Sequence, residues 1–429
     1  MELQELNHWW IEGSVKESLV PEFKRDLFNI ILQDIARRQI CIITGLRRTG
    51  KSTLMFQLID QLIRRGINPR KILYISFDEP NFQQKRIEEI LREYSKITRM
   101  DYKSDEIYLF FDEIQKAKEW TSSVKLIYDN LKNVRKIVIS GSASLNLIAE
   151  AKKDLAGRAL YYELKPMSFA EFLRFKGIRV RNEDVDLYRE ILQREFELFK
   201  LRPFPEIARE EDMTFIKKYI YSAVIEPIIL KDIPKEFKEV DVLLLERLVH
   251  IFLTEPGRYL KVDELAKELS RAKITIYKAL FYLEFSYIVR KLLNFRPSIR
   301  SASRKLSKIY AYHPGLCIPF NISEDRYAEN LVCSELNASY YWRERGKEID
   351  FLVNNAPVEV KYTSKIGKED LRWIRYFEKK YAKSLGIKHA FIITKDLEYN
   401  VNNIALIPLW KFSFQGLPQI DLYLKDKAI

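Results

Sequence analysis

Hydrophobic and polar positions along this chain follow two periods, and the two alternate in a regular order. Residues 39–44, Gln39-Ile40-Cys41-Ile42-Ile43-Thr44, form a short apolar, β-branched run, which predicts a buried strand. A helical period follows over residues 53–63 and closes on Arg64-Arg65-Gly66, basic residues and a glycine that suit a helix C-terminus. Upstream, residues 23–37 place Leu27, Ile30, Ile31 and Ile35 at helical spacing. Further apolar runs over 71–78, 107–113 and 135–142 read as strands, the charged passage around 87–91 as helix, and 155–164 as a last strand-like run. Strands alternating with helices imply a parallel sheet covered on both faces, with a ligand at the carboxyl ends of the strands.

The pattern then changes. Residues 171–246 are helical and charged, punctuated by Pro203, Pro205, Pro227 and Pro234, as expected of a lid or connector. Two short helical periods over 259–269 and 274–283 and an extended run over 287–292 follow the order of a winged helix-turn-helix. That order puts Lys273, Thr275 and Lys278 on the recognition helix, with Arg290, Lys291, Arg296 and Arg300 beyond it. Such modules contact DNA or serve as protein-interaction lids, and the local positive charge favours DNA. The last part predicts a helix over 326–336, strands over 339–343 and 348–353 around Gly346, a third over 357–361, and a later strand over 389–394.

Composition narrows the class. At 429 residues the chain exceeds a single hydrophobic core and suggests two to three domains, and 47% hydrophobic content is ample to fill them. There is no apolar run of membrane-spanning length and no leader-like amino terminus, so the expectation is a soluble, cytoplasmic protein without a membrane partner. Cys41, Cys317 and Cys333 are scattered and lack paired spacing, which argues against a disulfide framework or a zinc site. The balance of 73 Lys+Arg against 60 Asp+Glu gives a formal charge of +13, a field that attracts polyanions.

Between the first strand and its helix lies Gly45-Leu46-Arg47-Arg48-Thr49-Gly50-Lys51-Ser52, a glycine, four residues, then Gly-Lys-Ser. This is the full phosphate-loop pattern in the required strand, loop and helix context. Gly45 and Gly50 let the backbone curl around phosphates, with Arg47, Arg48, Thr49 and Thr53 completing the binding stretch; Lys51 adds a mobile charge and the Ser52 hydroxyl a Mg²⁺ ligand. The strand ending in Asp112-Glu113 supplies the complement: Asp112 to hold Mg²⁺ and Glu113 to polarise the attacking water. Ser140-Gly141-Ser142 ends another strand, either as a sensor of the γ-phosphate or as a serine-rich turn. Arg158 precedes the last run and could stabilise charge on the transferring phosphate, from this subunit or a neighbour, with Arg47 and Arg48 as rivals; an oligomer therefore stays open. Trp9 and Trp10 could stack on adenine or fill the core.

The succession of Asn7-His8-Trp9-Trp10, residues 45–53, the Asp112-Glu113 strand, Ser140-Gly141-Ser142, Leu155-Ala156-Gly157-Arg158 and Lys165-Pro166-Met167-Ser168-Phe169-Ala170-Glu171-Phe172 resembles the AAA-type ATPases widespread in archaea and bacteria. The resemblance runs through the whole chain. It implies ATP rather than GTP, a sensor role for Ser140 or Ser142, and a place for Arg158 in a recurrent Gly-Arg motif. Where that family usually has Gly-Gly-Phe-Pro-Glu, this chain reads Arg202-Pro203-Phe204-Pro205-Glu206.

Near the carboxyl end, alternation puts Glu359 and Lys361 on one face of a strand. Asp350 and Glu359 could share hard cations, with Glu329 as a further ligand and Lys361 to orient or deprotonate a water for attack on a phosphodiester. The arrangement resembles restriction-endonuclease-like domains; the alternative is a structural salt-bridge cluster in a binding domain. The expected fold is therefore α/β: an AAA-type P-loop domain over residues 1–170, a helical lid or connector over 171–246, a winged helix-turn-helix over 247–312 and a small α/β restriction-endonuclease-like domain over 313–429. The function expected of it is ATP binding and hydrolysis with Mg²⁺, acting with nucleic acid, DNA before RNA, with metal-dependent nuclease activity of the carboxyl-terminal domain left open. The competing expectation is an ATP-loaded binding switch whose nuclease-like domain only docks.

Overall fold

Five short apolar strands build the first sheet: β1 (Ile40–Thr44), β2 (Ile72–Ser76), β3 (Ile107–Asp112), β4 (Val134–Ser140) and β5 (Ala159–Glu163). They pair in the order β2-β3-β4-β1-β5, every neighbouring pair parallel. All five residues of β1 are buried, as expected where both faces of a parallel sheet are covered. The covering helices include α1 (Asp26–Asp34), α2 (Lys51–Arg64), α3 (Ile87–Thr98) and α4 (Trp120–Asn130). In α3, Ile87, Ile90, Leu91, Tyr94 and Thr98 make the helical stripe that faces the core. The structure, a computed structural model, describes residues 2–141, 151–296 and 306–417. It divides into two compact units, Met1–Met167 and Ser168–Ile429.

The open edge of the first sheet is β2, and the amino-terminal segment covers it. The Asn7 side chain donates to the Tyr74 carbonyl at 2.8 Å and accepts the Tyr74 N–H at 2.7 Å, so one amide stands in for a neighbouring strand. The indole N–H groups of Trp9 and Trp10 both donate to the Ile72 carbonyl, at 3.2 and 2.8 Å. Both rings are buried at the amino end of β2, so the tryptophans fill the core and the alternative of stacking on adenine is set aside.

In the second unit, residues before α5 (Arg189–Leu201) and between it and α6 (Val242–Thr254) are largely helical. Then come β6 (Arg258–Tyr259), α7 (Val262–Glu268), α8 (Lys273–Phe285), β7 (Val289–Asn294) and β8 (Lys308–Ala311). Beyond them lie α9 (Glu324–Glu335), β9 (Tyr340–Glu344), β10 (Lys347–Val353), β11 (Ala356–Lys361), α10 (Arg372–Leu385), β12 (Ala390–Thr394), β13 (Tyr399–Val401) and β14 (Ile404–Pro408). All nine strands form one sheet, β13-β14-β12-β11-β10-β9-β7-β8-β6. Strand pairing therefore crosses the boundary expected at residue 312. Strands β7 and β9 run parallel with Leu293 opposite Tyr340. Asn294 locks the join, its side chain accepting the Arg343 N–H at 3.0 Å and donating to the Arg343 carbonyl at 3.1 Å. At the Arg202-Pro203 departure no positive φ occurs, so the backbone there has no need of glycine.

Candidate functional site

The loop after β1 is held by sterics as much as by hydrogen bonds. Gly45 has φ +145°, and a Cβ there would lie 2.2 Å from the Leu164 carbonyl oxygen. The crowding arises because the Leu164 N–H donates to the Thr44 carbonyl at 2.7 Å, extending the β1–β5 pairing beyond the strand ends. Arg48 and Gly50 also have positive φ, 63° and 93°, the backbone form from which a loop turns successive N–H groups toward an anion. Thr49 closes the loop by donating its hydroxyl to the Leu46 carbonyl at 2.9 Å. Arg25, which the sequence pattern does not flag, braces it: its buried guanidinium donates to the Thr49 carbonyl at 2.7 Å and the Lys165 carbonyl at 2.8 Å. The Lys51 ammonium folds back onto the Gly45 and Leu46 carbonyls at 3.0 and 2.9 Å. Arg47, Ser52 and Thr53 flank this arrangement, with Ser52 on the first turn of α2.

The acidic half sits where parallel strands end. The Asp112 carboxylate, 3% exposed, accepts the Ser52 hydroxyl at 2.6 Å, the Tyr74 hydroxyl at 2.9 Å and the Ser140 hydroxyl. Ser140 in turn accepts the Glu113 N–H at 3.4 Å. Burial, then the adjacent Asp112 charge, pushes the Tyr74 phenol well above its ordinary pKa, so it stays a donor. The Glu113 carboxylate accepts the Gln115 amide at 2.7 Å and lies 3.9 Å from the Lys116 ammonium. Lys51, Ser52, Asp112, Glu113 and Ser140 thus converge at the carboxyl ends of β1, β3 and β4; Ser142 lies outside the described residues. A nucleoside triphosphate with Mg²⁺ fits this set, because the two oxygen donors for the ion, Ser52 and Asp112, already face each other.

Arg158 is not brought to that place. Its carbonyl accepts the Ile40 N–H at 2.8 Å at the amino end of β1, and its guanidinium is engaged by Asp129 at 2.8 and 3.1 Å. Because β5 runs parallel to β1, the residue entering β5 lies a strand's length from the loop leaving β1, roughly 15 Å at about 3.3 Å per residue. Within its own chain Arg158 therefore stands away from the phosphate loop.

A second cluster of charge lies in the Ser168–Ile429 unit. Asp350 on β10 and Glu359 on β11 interlock: the Val360 N–H donates to Asp350 at 2.9 Å and the Asp350 N–H to Glu359 at 3.3 Å. Lys361 pairs with Glu359 at 2.9 Å. Glu329, from α9, accepts the Tyr310 hydroxyl and lies 3.4 Å from the Lys308 ammonium. That same ammonium meets Glu348 at 2.5 Å and Asp350 at 3.8 Å. Glu329, Asp350, Glu359 and Lys361 are thus gathered, together with Lys308, Glu348 and Tyr310, which the motif alone does not include. Glu348 was findable, since alternation puts it on the Asp350 face of β10. Burial, followed by Glu359 and Glu329, raises the Asp350 pKa well above the ordinary carboxylate range, against the pull of Lys308. Burial likewise raises Glu359, with Lys361 opposing. For Lys308 burial disfavours the charge, but Glu329, Asp350 and Glu348 outweigh it and raise its pKa. Among the described residues no group of three or more His, Cys, Asp or Glu is arranged to hold a metal ion; the cations that face Asp350 and Glu359 are the Lys308 and Lys361 ammoniums.

The outward face of α8 carries exposed Lys278 beside Ile274, Tyr277 and Phe281, which are 64%, 52% and 50% exposed. Lys273 pairs with Asp263, and Thr275 is partly buried. Arg290 bonds Asn337 and lies over the Tyr312 ring, and Arg296 is spent on the Phe295 and Arg343 carbonyls at 2.8 and 2.7 Å. Lys291 is exposed; Arg300 lies outside the described residues. No helix among the described residues is long and apolar enough to cross a membrane.

The five-stranded parallel sheet, the loop after β1 and the acid at the end of β3 together make a P-loop nucleotide site. Residues 37–173 match the family model described as AAA domain. Residues 204–325 and 324–412 match two further models, each described as a domain of unknown function. An uncharacterised protein of Methanocaldococcus jannaschii is 29% identical over 409 residues, 87% of this chain and 88% of that one. An uncharacterised protein of Haemophilus influenzae is 27% identical over 334 residues, 74% and 80% of the two chains. Among solved structures, Cdc6p from Pyrobaculum aerophilum aligns with a TM-score of 0.32 at 12% identity, covering 71% of this chain and 97% of that one. AMPPCP-bound DnaA from Aquifex aeolicus aligns at 0.27 and 19%, covering 62% and 89%.

Proposed function

We propose that this protein binds and hydrolyses ATP with Mg²⁺ and couples the cycle to nucleic acid, DNA before RNA. The observation that carries the first half is the Ser52 hydroxyl on the Asp112 carboxylate at 2.6 Å, the two ligands of the ion brought together from α2 and β3. When bound, Mg²⁺ would neutralise charge on the phosphates. The chain's own residues do the rest: the amides of residues 45–52 cradle the phosphates, and Lys51 leaves the Gly45 and Leu46 carbonyls for them. Glu113, released from Gln115, takes the proton of the attacking water, and Ser140 joins Asp112 to the Glu113 backbone. Phosphate release in Mg²⁺ and ATP tests this. Lys51→Ala and Glu113→Gln are each expected to lower it by about 100-fold or more; undiminished turnover in Glu113→Gln would remove that residue from the role of base.

The nucleic-acid half rests on the +13 charge and on Lys278 and Lys291 at the surface of the helix-hairpin region. Anisotropy with labelled duplex DNA and RNA should show tighter binding to DNA, weakened in Lys278→Glu/Lys291→Glu and falling with salt. A second reading, an ATP-loaded switch with a docking rather than cutting carboxyl-terminal domain, is favoured by the exposed Ile274, Tyr277 and Phe281 on α8 and by the Lys308 ammonium among the carboxylates of Glu329, Glu348 and Asp350. No binding to either nucleic acid would leave that second reading standing.

A further inference from the structure

Lys308 brings a buried ammonium to two of the acids, Glu329 and Asp350, that the sequence offers as cation ligands. Its side chain is 6% exposed, and its ammonium has Glu348 at 2.5 Å, Glu329 at 3.4 Å, Asp350 at 3.8 Å and the Tyr310 hydroxyl at 3.4 Å. The rings of Tyr341, Tyr259 and Tyr310 surround it at 5.5, 5.8 and 5.9 Å. Three carboxylates from α9 and β10 thus converge on one buried positive charge delivered by β8. The strand is fixed in register on both sides, with Lys308 opposite Leu292 of β7 and Tyr259 of β6. Tyr259 also donates its hydroxyl to Glu348, tying β6 to the same cluster. The remaining carboxylate, Glu359, has its own ammonium, Lys361.

We propose that Lys308 is the resident cation of this cluster and keeps divalent metal out of it. A hard divalent ion needs several carboxylate oxygens at about 2.0–2.6 Å. Here Glu329, Glu348 and Asp350 point at an ammonium instead, and a divalent ion on Asp350 would meet that charge within a few ångströms in a buried setting, where like charges repel strongly. The contact is built into the sheet, since Lys308 comes from β8, which is held between β7 and β6. The inference rests on the docking reading of this domain and gives it a physical cause: the carboxylates are present, and their counter-ion is covalently part of the chain.

Mn²⁺ binding to the full chain, counted by electron paramagnetic resonance without nucleotide, tests this. Wild type and Asp350→Asn should bind the same number of ions. Lys308→Met, which keeps the length of the side chain and removes its charge, should gain one Mn²⁺ per chain, lost again in Lys308→Met/Asp350→Asn. An ion in the wild type that disappears in Asp350→Asn would overturn the proposal, as would a folded Lys308→Met that gains none. If Lys308→Met does not fold, the comparison of wild type with Asp350→Asn decides by itself. Labelled DNA included with Mn²⁺ separates the two levels: an Asp350-dependent ion without cutting sinks only the role of Lys308, whereas Asp350-dependent cutting by the wild type sinks the docking reading as well.

Discussion

Three hydroxyl donors, from Ser52, Tyr74 and Ser140, aim the Asp112 carboxylate, and each comes from a different element. Tyr74 donates from β2, outside the phosphate loop and the strand-end serine, and would act on the ion only by positioning Asp112. Tyr74→Phe keeps the ring and removes the donor, and the loss of such a support is worth about 10–100-fold in metal affinity or activity. The expected outcome is a raised Mg²⁺ requirement for ATP hydrolysis, with the KM for ATP much less changed; an unchanged Mg²⁺ titration would deny Tyr74 this role. His8 carries a pH effect. Its Nε2 accepts the Lys16 N–H at 2.9 Å, which requires the neutral ring, and burial, opposed by Glu12 and aided by Lys16, lowers its pKa below 6.5. In the unfolded chain the imidazole binds a proton more readily, so stability present above pH 6.5 is lost as pH falls through the lowered folded value. Urea titrations from neutral pH downward should show that slope in the wild type and a flatter one in His8→Gln. The phosphate-loop residues were legible because their spacing is local. Tyr74, Arg25 and His8 were not, since each acts on a partner defined only by folding.

At the level of elements, the open side of β2 shows how a short segment finishes a sheet. An unpaired strand edge exposes N–H and C=O groups, and here one side-chain amide, Asn7, satisfies both for Tyr74. Asn7→Ala leaves two buried backbone groups without partners, expected to cost on the order of 1–3 kcal/mol for each group left unsatisfied. Chemical denaturation should show a lower midpoint with an unchanged slope, while Asn7→Asp, which keeps only the acceptor, should fall between. The alternation of apolar runs and helical periods predicted the parallel sheet and the helices on it. It did not indicate that Arg158 enters β5 at the end remote from the loop, because a run of apolar residues specifies a strand and says nothing of its neighbour. Parallel pairing of β1 and β5 decides that separation.

For the whole molecule, the sharpest expectation concerns ligand linkage. If residues 45–53 hold Mg²⁺ and ATP only in the folded state, ligand at about 100 times its Kd adds about 2.7 kcal/mol of stability. Calorimetry should show an upward shift in the unfolding temperature of the wild type that is missing in Lys51→Ala, and no shift with Mg²⁺ alone. The sequence by itself determined the P-loop, the acidic strand end, the Glu359-Lys361 alternation and the order of strands and helices over residues 39–164, because each is a short-range pattern read at a fixed period. Tertiary structure alone decided three things: the burial of Trp9 and Trp10 against β2, the union of all nine carboxyl-terminal strands in one sheet, and the presence of Lys308 among Glu329, Glu348 and Asp350. Their common reason is distance along the chain. Residues some 20 to 60 positions apart meet only through strand pairing and packing, and no local period encodes which strand a given edge will choose.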